Sequence, residues 1–358
     1  MHHPGAPRSN RVAGVRHQRL AGKRGLRSVA SFSGRCDPTT PYDVHEDGKL
    51  AKLGNGWPHP RYDGRGLAAD QVPSISEGAA QMNLRFEASP NRYVAASNGV
   101  KYAYRKLDKP GTLPLVFLQH FTGTMDSWDP AVVNALAQER TVVIFDNVGV
   151  GTSTGKTPDS VERMTIDAEA FIDALDLGDV DLMGFSLGGF IAQLMAARGK
   201  VPVRKIVSAG SAPQGGEEHL LQVVREAFSQ EAPDVRLPLF FTPSEKSQAA
   251  GRAFLARAAV RKQDRDPESS EDVRNAQAKA IVTWCADKTT DHALLKRIKQ
   301  PTLIVHGSDD TMFPAVNAYE MFKKMHDATL IVYPDSGHGA IFQYPETFTS
   351  HVNLFLAD

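Results

Sequence analysis

Residues 181–190 read Asp-Leu-Met-Gly-Phe-Ser-Leu-Gly-Gly-Phe, which is the most informative stretch of the chain. It contains a Gly-x-Ser-x-Gly pentapeptide at 184–188, between a mostly apolar run at 180–183 and a helix-prone run at 190–197. A strand, a tight turn and a helix in this order are the context in which the pentapeptide forms a nucleophile elbow. The pattern predicts that Ser186 lies on a strained turn, with its hydroxyl above a sheet edge and a helix N-terminus beside it.

The pentapeptide alone is weakly specific, so an acid and a base must follow it in the order typical of this elbow. Residues 302–306 predict a strand, and the polar loop after it carries Asp309 and Asp310. A carboxylate just past a strand end is well placed to orient an imidazole. We favour Asp310 as the acid and Asp309 as a loop hydrogen-bonding residue, and the alternative is that one of them only caps the helix beginning near Pro314.

The candidate base is His338, in a loop that follows a predicted strand at 330–333. It stands between two glycines in Ser-Gly-His-Gly. A lone loop histidine is usually a surface residue, but the order Ser, Asp, His favours catalysis here. The candidate oxyanion donors are the backbone N–H of Leu187, directly after the serine, and that of Phe121, in the loop after a strand at 115–118.

Together with the strand-end loop Asp-Asn-Val-Gly-Val-Gly-Thr-Ser at 146–153, these motifs resemble those of the α/β-hydrolases over about residues 90–357. The resemblance is to the single-domain group of esterases, lactonases, carbon–carbon bond hydrolases and cofactor-free haloperoxidases. It departs from the family at 119–121, which read Gln-His-Phe where His-Gly-x is usual. A serine nucleophile argues against the related dehalogenases and epoxide hydrolases, which need a carboxylate.

The predicted fold class is α/β, with a doubly wound, mostly parallel sheet, because strands and helices alternate. The expected strands lie at 92–96 and 100–104 (a hairpin around Asn98-Gly99), then near 115–119, 141–145, 180–183, 204–208, 302–306 and 329–333. The expected helices lie near 127–138, 164–175, 187–198, 315–326 and 345–356. The core is predicted at 82–213 and 295–358, with a helical cap at 214–294 inserted late in the sheet (helices at 217–228, 244–261 and 270–285).

Charge is unevenly distributed, although the chain holds 41 basic and 41 acidic residues. Residues 1–36 contain eight Arg or Lys and no Asp or Glu, so the rest of the chain carries eight more acidic than basic residues. We predict that residues 1–81 form a disordered basic extension. A cytoplasmic location is favoured, and the Arg-rich start is also compatible with an organelle transit peptide.

Composition excludes several classes of protein. Two cysteines give no disulfide framework and no metal-site spacing, and no apolar run approaches the ~20 residues of a membrane span. Basic and aromatic residues do not interleave as in nucleic-acid-binding proteins. We therefore expect no metal, no organic cofactor, no nucleic acid and no membrane as partners, and the oligomeric state stays open.

The predicted activity is serine hydrolysis of a carboxylic ester or lactone of small to medium, partly hydrophobic character, through an acyl-enzyme. Two alternatives remain open. One is carbon–carbon cleavage or a perhydrolase or haloperoxidase-like reaction on the same triad, and the other is a ligand receptor with little turnover.

Overall fold

This computed structural model describes residues 42–44, 50–52, 85–216, 234–288 and 292–357. Two short strands, β1 (Tyr42–Val44) and β2 (Leu50–Lys52), pair antiparallel in the N-terminal unit of the chain. Apart from these six residues, the extension predicted to be disordered lies outside the described residues, as does the cap helix predicted at 217–228.

The second unit is organised around an eight-stranded sheet in which only one strand runs opposite to the others. The strand order is β10-β9-β8-β7-β5-β6-β4-β3. Its strands are β3 (Arg92–Ala95), β4 (Lys101–Leu107), β5 (Leu115–Leu118), β6 (Val142–Phe145), β7 (Val180–Phe185), β8 (Val203–Ala209), β9 (Thr302–Gly307) and β10 (Ala328–Tyr333). Each predicted strand is present within a few residues of its expected position.

The antiparallel strand β4 comes from the predicted hairpin, whose register pairs Arg92 with Tyr104 and Ala95 with Lys101. Gly99 takes a positive φ of 80° in the turn, a conformation that glycine adopts without steric cost. The six strands β5 to β10 all pair in parallel. Every residue of β5, β6, β7 and β9 is buried, as expected for parallel strands covered by helices on both faces.

From β5 onward the helices alternate with the strands, except that one long insertion interrupts the alternation between β8 and β9 and the last two helices follow β10. They are α1 (Pro130–Ala137), α2 (Val161–Ala174), α3 (Leu187–Arg198), α4 (Arg236–Phe240), α5 (Glu245–Ala258), α6 (Glu271–Ala286), α7 (Ala293–Arg297), α8 (Val316–Lys324), α9 (Ala340–Gln343) and α10 (Pro345–Leu356). The start of α1 is set by Asp129, whose carboxylate accepts the Ala131 N–H, and by Pro130 at the first helical position.

Residues 214–294, which we call the cap segment, interrupt the alternation between β8 and β9. Their described part is helical, and α5 and α6 match the helices predicted at 244–261 and 270–285. The short helix α4 was not predicted, because Leu-Pro-Leu-Phe-Phe at 237–241 shows no helical periodicity over its length. Among the described residues, no helix is long and apolar enough to cross a membrane.

Candidate active site

Ser186 occupies a strained turn between β7 and α3, as predicted. Its φ of 56° is positive for a non-glycine residue, and the helix begins directly after it at Leu187. Two glycines permit the turn: a β-carbon on Gly184 would lie 2.4 Å from the Gly188 carbonyl oxygen, and one on Gly188 would lie 2.0 Å from the Leu118 carbonyl oxygen. The helix N-terminus therefore meets the serine, where its partial positive charge favours an anion.

The structure brings Asp310, rather than Asp309, to His338. His338 Nδ1 lies 2.9 Å from Asp310 Oδ2, and both side chains are buried. Asp310 Oδ1 accepts the backbone N–H groups of Met312 and Phe313 at 2.9 and 3.0 Å. Burial acts to raise the pKa of Asp310, but the interactions with His338, together with those of His306 and the Phe313 N–H, outweigh it and the pKa is lowered. Asp310 is thus held as an anion against the imidazole.

Asp309, by contrast, is exposed and belongs to the loop surface. Its carboxylate accepts the Ser308 hydroxyl at 2.5 Å, and its backbone N–H donates to the Ser336 carbonyl at 2.9 Å. This is the hydrogen-bonding role that the sequence predicted for it.

A second histidine, His306, contacts the same carboxylate, although no motif in the sequence assigns it a role. It is fully buried at the end of β9, with Nε2 3.3 Å from Asp310 Oδ2 and 2.6 Å from the Phe313 carbonyl oxygen. A carbonyl only accepts, so Nε2 carries a hydrogen and donates it. His306 thereby ties the acid loop to the strand. The available signal was a polar residue ending an otherwise apolar strand directly before that loop.

The imidazole of His338 is enclosed by aromatic rings. The ring centroids of Phe185, Phe240 and Phe313 lie 5.1, 5.6 and 5.6 Å from it. Phe185 is fully buried and also contacts Trp128 and Phe342, so its side chain belongs to the packed core beneath the imidazole. Apolar walls exclude water and strengthen the electrostatic coupling between His338 and Asp310.

The predicted oxyanion donors follow the carboxyl ends of β5 and β7: Phe121 lies in the loop after β5, and Leu187 is the first residue of α3. Among the described residues, neither the Phe121 nor the Leu187 N–H donates a hydrogen bond to a protein acceptor. The loop after β5 contains a further strained residue, Thr122, with a φ of 57°. Phe121 lines the same cavity as Ser186, and Leu187 follows the serine directly in the chain, so both N–H groups stay candidates for binding an oxyanion.

His120 precedes Phe121 and is 7% exposed. Its Nδ1 lies 2.9 Å from the Phe121 carbonyl oxygen, so this nitrogen is the donor. Burial lowers the pKa of His120 to about 3, against the opposing effect of that hydrogen bond. The side chain is therefore neutral near pH 7 and adds no charge beside His338.

Ser186, His338, Phe121 and His120 line one cavity of about 380 Å³. This volume lies within the range of small-molecule sites. Core loops form one side of the cavity, and the other side comes from the cap segment, through Asp234, Val235, Arg236, Leu239, Phe240, Arg265, Asp266, Pro267, Glu268, Ser269 and Arg274. Among the described residues, no group of three or more His, Cys, Asp or Glu side chains is arranged to hold a metal ion.

The large apolar side chains of the cap segment separate into two groups. Leu239 and Phe240 line the cavity, as does Met312 from the core. Leu237 and Phe241 instead pack against Gly251 of α5, where a β-carbon would lie 2.8 Å from each. Trp284 stacks on Phe190 at 5.2 Å, away from the cavity lining. The apolar stretch at 237–241 therefore serves both cap packing and the pocket wall.

A buried charge cluster lies beside the cavity and joins cap to core. Arg105 Nη1 lies 2.7 Å from Asp126 Oδ1, and the Asp266 backbone N–H donates to Asp126 Oδ2 at 2.7 Å. Asp146 Oδ1 accepts the Met125 N–H at 2.8 Å, so the same group of carboxylates anchors the loop after β5. Burial, followed by the charge of Asp126, raises the pKa of Asp266 to about 6.

Comparisons with known proteins agree on one fold. The model of the family described as alpha/beta hydrolase fold matches residues 114–345. A solved alpha/beta hydrolase fold protein from Chitinophaga pinensis is 42% identical, with a TM-score of 0.72, and the match covers 76% of this chain and 98% of that one. The pimeloyl-[acyl-carrier protein] methyl ester esterase of Nitrosomonas europaea is 28% identical over 66% of this chain and 92% of its own length. The non-heme chloroperoxidase of Burkholderia pyrrocinia is 26% identical over 70% and 93%.

Proposed function

Because the chain belongs to the α/β-hydrolase fold family, we propose that it is a serine hydrolase that cleaves a carboxylic ester or lactone. The observation that carries the proposal is a serine and a histidine that line one cavity, with the histidine hydrogen-bonded to a buried carboxylate behind it. Ser186 lies on the strained elbow, and His338, hydrogen-bonded to the buried anion of Asp310, lines the same cavity. This is the arrangement of nucleophile, base and orienting acid that acyl transfer needs.

In the proposed first half-reaction, His338 accepts the Ser186 proton as the hydroxyl oxygen attacks the carbonyl carbon. The Nδ1–H of His338 donates to Asp310, which leaves Nε2 as the basic nitrogen of the neutral ring. The imidazolium that forms is stabilised by the Asp310 carboxylate. It then gives its proton to the leaving alcohol oxygen, and an acyl-enzyme on Ser186 remains.

The oxyanion of the tetrahedral intermediate is assigned to the N–H groups of Phe121 and Leu187. They are preorganised donors, and the α3 N-terminus adds its partial charge. In the second half-reaction, His338 removes a proton from water, the hydroxide attacks the acyl carbon, and the proton returns to Ser186 as the acid leaves.

The cavity supports a substrate that is small to medium in size and partly hydrophobic. Phe121, Leu239, Phe240 and Met312 supply apolar wall, and the volume of about 380 Å³ admits one such molecule. The Nitrosomonas relative is named for a methyl ester, which is a carboxylic ester. The chloroperoxidase among the relatives makes peroxyacid formation the alternative reaction to measure on the same serine.

The test is a panel of p-nitrophenyl esters of increasing acyl length together with aliphatic and aromatic lactones. The proposal predicts turnover of at least one member by the wild type and a loss of several orders of magnitude in Ser186→Ala. A peroxide and bromide assay, run with both proteins, measures the alternative reaction. Turnover that Ser186→Ala retains, or stoichiometric binding without turnover across the panel, would contradict the proposal; the second result favours a receptor.

A further inference from the structure

The cap segment contacts the loop that carries the predicted oxyanion donor Phe121, and it does so at the residue directly after it. Thr122 has a φ of 57°, in the left-handed region that a β-branched residue rarely adopts. A backbone in this region persists only where its surroundings hold it there. The contacts around Thr122 therefore decide how the preceding peptide units are oriented.

Both backbone polar atoms of Thr122 are bound by side chains of the cap segment. The Thr122 N–H donates to Gln277 Oε1 at 2.6 Å, and Ser269 Oγ donates to the Thr122 carbonyl oxygen at 2.9 Å. The peptide between Phe121 and Thr122 is also held at its oxygen, which accepts from His120 Nδ1. The peptide between Phe121 and Thr122 is thus held at its oxygen by His120 of the core and at its N–H by Gln277 of the cap segment. It adjoins the peptide that carries the Phe121 N–H.

Gln277 is an unusual residue for its position. It lies on α6, is fully buried, and shares the inward face with Val273, Ala280, Ile281 and Trp284. Its Nε2 has no hydrogen-bond partner among the described residues. A buried amide with an unpaired donor costs stability relative to an apolar residue of the same size. Core packing alone does not account for it, whereas the bond to Thr122 does.

We propose that Gln277, assisted by Ser269, is a positioning residue of the oxyanion hole: the cap segment holds Thr122 and thereby aims the Phe121 N–H at the reacting carbonyl. This inference rests on the proposed function. Its consequence is that the cap contributes to the rate of acylation as well as to substrate binding. An interaction that matters only once the oxyanion forms lowers kcat when it is lost and leaves KM nearly unchanged.

The main variant is Gln277→Met, which keeps the side-chain volume and removes the acceptor. With the best p-nitrophenyl ester of the panel, kcat is expected to fall about 10- to 100-fold, with KM within about 3-fold. The inhibition constant of an aryl trifluoromethyl ketone, which forms an anionic tetrahedral adduct on serine, is expected to rise in parallel.

The matched control is Lys279→Met on the same helix. It breaks a different contact between cap and core, the ion pair of Lys279 Nζ with Asp159 Oδ2 at 2.6 Å, and does not touch Thr122. Its kcat is expected to stay within about 2-fold of the wild type, because an exposed ion pair contributes little.

Ser269→Ala decides the matter if Gln277→Met does not fold, since Ser269 is only half-buried. It is expected to lower kcat about 3- to 10-fold without raising KM. Unchanged kcat in the folded variants, or a rise in KM alone, overturns the positioning role. Failure of the proposed function gives a different result. In that case the wild type and Ser186→Ala have the same ester turnover.

Discussion

The loops of the sheet and the cap segment form two sides of one cavity, but different contacts hold them. In the sheet, backbone packs on backbone: Gly188 leaves no room for a β-carbon beside Leu118, and Ser186 N–H donates to the Ala209 carbonyl at 2.9 Å. The cap reaches the same loops largely through side chains, such as Gln277 on Thr122, and Thr242 and Ser244 on Asp335.

Because different contacts hold the sheet loops and the cap segment, a substitution can disturb one of them without disturbing the other. The three candidate catalytic side chains follow strands of the parallel sheet, so a change in the sheet backbone is transmitted directly to the elbow. The cap is joined by polar side chains, each replaceable one at a time, and by the carbonyl of Phe240, which accepts the Gly339 N–H at 2.9 Å beside His338. Substitutions in the sheet should abolish catalysis. Substitutions in the cap segment should weaken its attachment to the sheet loops and lower the rate.

The largest effect is expected from Asp310→Asn in the acid loop. An amide cannot stabilise the imidazolium and favours the wrong tautomer of His338, so kcat/KM is expected to fall about 10⁴-fold. The matched control is Asp309→Asn, expected to stay within about 3-fold, because its carboxylate bonds only the neighbouring Ser308 hydroxyl among the described residues. Steady-state kinetics of the two variants decide the assignment, and a crippled Asp309 variant would reverse it.

Gly188→Ala tests the backbone packing of the sheet. Its β-carbon would lie 2.0 Å from the Leu118 carbonyl oxygen, so the elbow must move, at a cost of about 3 kcal/mol of unfolding free energy. Gly199→Ala, at the other end of α3, places its β-carbon in open space. Its positive φ of 62° strains the alanine backbone, which should lower the free energy of unfolding by about 1 kcal/mol. Urea unfolding measures both; equal losses would show that packing at the elbow is not the constraint.

Arg257→Met tests the cap side of the comparison. Arg257 Nη2 lies 2.6 Å from Asp129 Oδ2, and Asp129 is fully buried at the start of α1. Without the cation, the Ala131 N–H is the only hydrogen-bond donor that the described residues offer to this buried carboxylate. The free energy of unfolding is therefore expected to fall by about 2 kcal/mol. Hydrogen exchange should accelerate in α5 and α6 before β7. Arg252→Met, exposed on the same helix, is the control; uniform acceleration across sheet and cap would contradict separable regions.

The smallest effect concerns pH and Asp266. Burial and the Asp126 charge raise its pKa in the folded state to about 6, above the unfolded value of about 3.9. The folded state therefore binds the proton more tightly, and this contribution to stability is present at low pH and is lost as pH rises through about 6. Asp266→Asn removes this titration. The unfolding free energy of the variant minus that of the wild type should therefore rise between about pH 4 and 6 and then level off. A difference that is flat with pH would contradict the shift.

The sheet and the three candidate catalytic side chains could be predicted because short sequence patterns mark each of them. Apolar runs of four to six residues mark the strands, and the glycines at 184 and 188 mark the elbow. The choice between Asp309 and Asp310 is harder, since adjacent loop residues share every sequence signal. What separates them is the fold of the loop, which buries one carboxylate and exposes the other.

The contribution of the cap could not be predicted in the same way. Gln277 and Thr122 are 155 positions apart, and no local pattern joins them. A weaker signal existed, since Gln277 falls on the apolar face of α6 with Val273 and Ile281, where a polar side chain needs a partner. The sequence could therefore indicate that Gln277 has a buried partner, and only the fold shows which one.

The most direct test of the central claim is labelling with a fluorophosphonate, read by intact mass and then by peptide mapping. The phosphorus bonds to the activated serine oxygen as fluoride leaves, and His338 takes the proton. We predict one adduct per chain, on Ser186, with parallel loss of ester turnover, no adduct in Ser186→Ala and much slower labelling in Asp310→Asn. An adduct on another residue, or a Ser186→Ala protein that still labels and turns over ester, would contradict the account.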